Sequence, residues 1–106
     1  MTRAFAVQFN NRFNLKPAAK FGEVTYLYTD KVPPVSTPQV VIEEIISRLE
    51  HFAFDPSKDF IVLSGATVNV VLFVAAAVLA YEKIKLLMYD PVRHLYYERE
   101  IRDPEE

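Results

Sequence analysis

Asp59-Phe60-Ile61-Val62-Leu63-Ser64-Gly65, running into Ala66-Thr67-Val68-Asn69-Val70-Val71-Leu72-Phe73-Val74-Ala75-Ala76-Ala77-Val78-Leu79-Ala80-Tyr81, decides how the rest of this chain is read. From Phe60 to Tyr81 there are 22 residues without a charge, long enough to cross a bilayer. Ser64-Gly65-Ala66-Thr67-Val68-Asn69 interrupts that run where a strand would pass into a helix. The flanks carry no clustered Lys or Arg and no aromatic belt on both sides, so the membrane reading is set aside. Residues 59–64 are a short apolar run without alternation, the mark of a strand buried on both faces in a parallel sheet. Residues 66–81 read as a helix in which only Thr67 and Asn69 are clearly polar before Tyr81.

Downstream, Ile84-Lys85-Leu86-Leu87-Met88-Tyr89 reads as the next strand. Asp90-Pro91-Val92-Arg93 is a turn with Pro at its second position. His94 to Ile101 returns as an antiparallel strand with outward charges, and 102–106 is expected to fray. Upstream, Asp55-Pro56-Ser57-Lys58 is a turn. Before it lies an amphipathic helix with Ser36 or Thr37 as cap, Pro38 in the first turn and Gln39 completing a capping box. Val41, Ile42, Ile45, Ile46, Leu49 and Phe52 form its apolar stripe. Glu23-Val24-Thr25-Tyr26-Leu27-Tyr28 is a strand stopped by Lys31-Val32-Pro33-Pro34. Ala4 to Phe9 is the first strand.

The order is β-β-α-β-α-β-β in a single domain over residues 1–106. The expected fold is a small Rossmann-like α/β domain, a mixed sheet with a parallel core and antiparallel edge strands. The first strand and the last hairpin are expected to supply those edges. Over residues 59–101, D-F-I-V-L-S-G, an apolar helix, then L-L-M-Y-D-P-V-R-H-L-Y-Y resembles small uncharacterised α/β proteins of bacteriophages and mobile elements. The resemblance implies the fold and a phage or mobile-element origin, and no activity comes with it.

Composition narrows the function classes. There is no cysteine, which excludes disulfides and thiolate metal sites and suits a reducing, cytoplasmic setting. Met1 to Gln8 has no h-region with a cleavage site, so no signal peptide is expected. With two glycines in the chain, Gly22 and Gly65, a glycine-rich phosphate loop has no material to form from. Net charge is −2, with +3 on residues 1–31 and −5 on the remainder, which argues against phosphate-backbone binding. Arg12, Lys16 and Lys20 interleave with Phe9, Phe13 and Phe21. That mix suits single-stranded nucleic acid, but a loop whose phenylalanines anchor in the core explains it more simply.

Hydrophobic residues make up 51% of the chain, a surplus that has to be covered. The second helix is apolar all round and so is expected to be buried all round. Val68, Val71, Leu72, Val78 and Leu79 would face the sheet. Asn69, Phe73, Ala76, Ala77 and Ala80 would form another side, packed either on the first helix or on a second copy in a symmetric dimer.

In open α/β sheets ligands bind beyond the carboxyl ends of parallel strands. Here those ends bring Ser64, Gly65, Thr67, Asn69, Asp30 and Asp90 as candidate ligand-binding residues for a small ligand, nucleotide or phosphate at the second helix's N-terminus. The competing reading makes Ser64 and Thr67 caps, Asp30 and Asp90 turn starters, and Gly65 a residue that permits a tight bend. No catalytic constellation is read: Ser64 lacks the G-x-S-x-G elbow. No metal and no cofactor is expected, since His51 and His94 have no partner at ligand spacing and Asp30 and Asp90 lie far apart in sequence. Tyr96, Tyr97 and Arg99 read as cross-strand pairs. The functional expectation is a non-enzymatic interaction module binding itself or another protein, with ligand binding as the alternative.

Overall fold

The first strand, β1 (Arg3–Gln8), lies inside the sheet, between two other strands. Ala4, Phe5, Ala6 and Val7 are all fully buried, and a strand apolar on both faces belongs inside a parallel sheet. The computed structural model describes residues 2–8, 15–29, 37–64, 66–102 and 104. Among them are five strands, two α-helices and one short 3₁₀ helix, Lys16–Lys20. The other elements are β2 (Glu23–Tyr28), α1 (Pro38–His51), β3 (Phe60–Val62), α2 (Thr67–Ala80), β4 (Lys83–Asp90) and β5 (Leu95–Arg102).

The strand order is β2-β1-β3-β4-β5. β1 pairs parallel with both β2 and β3, and β3 pairs parallel with β4. Only β5 is antiparallel, through the β4–β5 hairpin. The expectation that the first strand forms an antiparallel edge is therefore corrected. Its connection to β2 is long enough for a parallel crossover, and a two-sided apolar strand at an edge would leave one flank of its core unpaired.

The two faces of the sheet are covered differently. Phe5, Val7, Leu27, Ile61, Ile84 and Leu86 meet α1 and α2 on one face. Ala4, Ala6, Phe60, Val62, Leu87 and Tyr96 meet Leu15 and Ala18 of the 3₁₀ segment on the other. A right-handed connection moving the opposite way along the sheet must cross the opposite face, as the β1–β2 segment does. Phe21 anchors it, its ring edge-on to Phe60 at 5.5 Å.

α1 behaves as its pattern requires. Val41, Ile45 and Leu49 are buried, with Ile42, Ile46 and Phe52 partly so. Pro38 stands in its first turn after Thr37, which makes no side-chain cap bond; Ser36 lies outside the described residues. The helix ends in a Schellman arrangement, Phe54 N donating to Leu49 O at 2.9 Å and Ala53 N to Glu50 O at 2.9 Å. No helix among the described residues is long and apolar enough to cross a membrane.

α2 is turned the other way from the expectation. Phe73, Ala76 and Ala77 are buried inside the chain, with Leu72 beside them. Val68, Val71, Val78 and Leu79, expected against the sheet, are 52%, 58%, 44% and 68% exposed. Alanines at 76 and 77 let α2 come close to α1 and the sheet, and Phe73 fills the space between them. The branched residues are left outside.

Candidate functional site

At the amino end of the parallel strands, the chain is tied by charge. The Arg3 guanidinium meets the Asp59 carboxylate at 3.1 Å and donates to Phe52 O at 2.6 Å and Ala53 O at 3.0 Å. Asp59 is buried and also accepts from the backbone N–H groups of Arg3 and Asp55, at 3.0 and 2.8 Å. This fastens the start of β1 to the start of β3 and the end of α1. The sequence signal was available: a charge before each of two apolar strands. Their pairing required knowing that β1 and β3 are neighbours.

The carboxyl end carries the expected site residues. Ser64, half-buried, follows β3. Burial pushes the pKa of the Tyr96 phenol up, and the Ser64 hydroxyl pulls it partly back. Thr67 is exposed at the first helical position of α2, and Asn69, two residues on, is half-buried. The residue before the helix, Ala66, offers no side-chain cap. Asp90 is placed at the end of the neighbouring β4, but its carboxylate is used by the hairpin turn. It accepts from Val92 N at 2.9 Å and Arg93 N at 3.2 Å and pairs with Arg93 at 3.8 Å. Asp30 and Gly65 lie outside the described residues, as do Phe9, Arg12 and Phe13. The structure thus brings Ser64, Thr67 and Asn69 to one junction, and Asp90 to the same end of the sheet in a different job.

Tyr28, at the end of β2, is buried beneath Arg48, whose guanidinium carbon stands 4.0 Å from the ring centroid. Arg48 also donates to Leu27 O at 2.8 Å and pairs with Glu44 at 3.3 Å. The Tyr28 hydroxyl is buried without a hydrogen bond of ordinary geometry among the described residues. Burial first, and then the Glu44 carboxylate, push its pKa up to about 12. No cluster of three or more metal-ligating side chains occurs among the described residues. His94 meets Tyr89 Oη at 3.2 Å.

Sequence reading missed a feature beside α2. The β4–β5 hairpin takes the place of a helical crossover, so no helix among the described residues covers the β5 side of α2. A groove of about 470 Å³ opens there, between Val78 and Leu79 on one wall and Ile84, Ile101 and Arg102 on the other. A second groove, of about 560 Å³, follows the hairpin past Tyr97 and Arg99 towards Asp90 and Arg93. Neither is lined by Ser64, Thr67 or Asn69. Ala80 lines the first groove, while Phe73, Ala76 and Ala77, expected at an interface, lie in the core, and Asn69 is half-buried.

A family model described as phage Pam3 gp32-like protein matches residues 2–103. No curated protein and no solved structure matches the chain.

Proposed function

The chain belongs to the phage Pam3 gp32-like protein family, and from that premise we propose that it is a phage-derived, non-enzymatic interaction module that works as a homodimer. The family description names a phage protein and no reaction, substrate or partner. The observation that carries the reading is the open side of α2. Val68, Val71, Val78 and Leu79 stand exposed on a helix that holds no charged residue, next to an open groove. A contiguous apolar patch of this kind marks a contact surface. A cytoplasmic setting belongs to the same proposal. Sedimentation equilibrium at micromolar concentration tests it. A dimer of the 12.2 kDa chain is expected, and a clean monomer overturns it.

A second reading, a small-ligand or phosphate-binding domain, is favoured by one feature. β2 and β3 lie on opposite sides of β1 in a parallel run of strands, and Ser64 stands just past the end of β3, where open α/β sheets place ligands. Inorganic phosphate or a nucleotide at millimolar concentration should then raise the melting temperature by mass action. An unchanged melting temperature removes this reading.

A further inference from the structure

We infer that two copies of this chain pair α2 against α2 antiparallel, about a two-fold axis at Ala75, with Glu82 of each copy set against the α2 N-terminus of the other. The inference rests on the homodimer reading above and gives it a geometry.

Val68, Val71, Ala75 and Leu79 follow one another at spacings of three, four and four along one side of α2. All four are exposed or half-buried, so no other part of the described chain covers this side. Ala75 is the smallest of them, which lets two helix axes approach closely where they cross. In an antiparallel pair about Ala75, helical residues equally distant from it in sequence meet. Val71 then faces the partner's Leu79, and Val68 lies towards the end of the partner's α2, just past which Glu82 stands. Val71 and Leu79, flanking the alanine, fill the widening space on either side of the crossing.

Charge favours this pairing over a parallel one. α2 has no acidic residue in its first turn and no basic residue in its last, and Ala66 supplies no cap. Its N-terminus therefore carries an uncompensated partial positive charge. Glu82, just past the other end, is exposed and makes no ion pair with a described residue. The two-fold delivers each Glu82 to the other copy's α2 N-terminus, and both complementary contacts form together. A parallel pair would put the two N-termini side by side and the two Glu82 carboxylates side by side. The uncharged surface of α2 between these ends leaves no buried charge without a partner.

Because the sequence contains no cysteine, single-cysteine variants report contacts cleanly. Ala75→Cys is expected to form a disulfide-linked dimer on mild oxidation. Val68→Cys is expected to stay unlinked, since its two copies would lie about 21 Å apart along the pair, from the helix rise, beyond disulfide reach. Leu79→Glu, at an exposed position, should raise the dimer dissociation constant more than about tenfold while leaving the fold intact, through the loss of buried apolar area. Glu82→Lys should weaken the dimer, and raising salt should weaken the wild type towards the level of that variant. If the wild type sediments as a dimer but any pattern other than cross-linking at residue 75 alone is found, this geometry is overturned and the homodimer stands. If the wild type is a monomer, both fall.

Discussion

Arg3 and Asp59 form a part-buried ion pair at 3.1 Å in which the carboxylate, 1% exposed, also accepts two backbone N–H bonds. It joins β1 to β3, neighbours in the sheet that are 56 residues apart in the chain. Removing Asp59 leaves the Arg3 and Asp55 amides without their acceptor and the Arg3 guanidinium with the Phe52 and Ala53 carbonyls alone. Asp59→Ala is expected to cost about 2–4 kcal/mol in urea denaturation. Arg3→Ala should cost less, because Asp59 keeps its two backbone donors. The reverse order would show that the guanidinium, not the amides, holds the carboxylate in place.

Ala53 takes a positive φ of 53° at the end of α1, in the Schellman position that glycine usually fills. An alanine there bears the left-handed penalty. Ala53→Gly should therefore stabilise the protein by about 0.5–1 kcal/mol, the relief of strain less the added freedom of the unfolded chain. The carbonyl that receives Arg3 is retained. His94, at φ 55°, offers less gain on the same change, since its ring meets Tyr89. Thermal melts of the two variants side by side check the order; equal or reversed gains would contradict it.

Tyr28 has its pKa pushed up to about 12 by burial and by Glu44, above the ordinary value of 10.0. The folded state therefore holds this proton more tightly than the unfolded chain. Its contribution is fully present below pH 10 and is lost as pH rises through about 12. Tyr28→Phe should flatten the fall of stability across that window. At neutral pH it should be close to neutral or stabilising, since the hydroxyl it removes has no ordinary hydrogen bond. Urea titrations at pH 7 and above pH 10 read both effects. A large loss at pH 7 would show that the hydroxyl is bonded.

Phe21 packs edge-on to Phe60 and joins the cluster on the sheet face opposite the helices. Phe21→Ala should cost about 2–3 kcal/mol, less than a fully buried phenylalanine because the ring is only part-buried. The loss should fall mainly on the β1–β2 crossover. Hydrogen exchange is then expected to rise in Lys16–Lys20 before it rises in α1 or α2. Uniform loss of protection would mean that the crossover and the helices unfold as one unit.

Local signals in the sequence were enough for most elements. Pro38 opens α1, and its three- and four-residue apolar spacing selects the face that Val41, Ile45 and Leu49 bury. Asp90-Pro91 starts the hairpin turn, and the unalternating Phe60-Ile61-Val62 is a parallel strand buried on both faces. These are short-range facts: a turn, a cap or a periodicity acts within a few residues of itself. The candidate junction of Ser64, Thr67 and Asn69 was legible for the same reason, because it follows from where one strand ends and one helix begins.

Tertiary structure decided what depended on distant partners. β1 could be placed inside the sheet only by its pairing with both β2 and β3, and with that came the contact between Arg3 and Asp59. The rotation of α2 was settled in the same way. A helix apolar on every side has no polar face to exclude from the core, so its sequence does not choose which side goes in. Packing chose. Ala76 and Ala77 permit the close approach to α1 and the sheet that branched side chains at those positions would block, so Val68, Val71, Val78 and Leu79 were left on the surface.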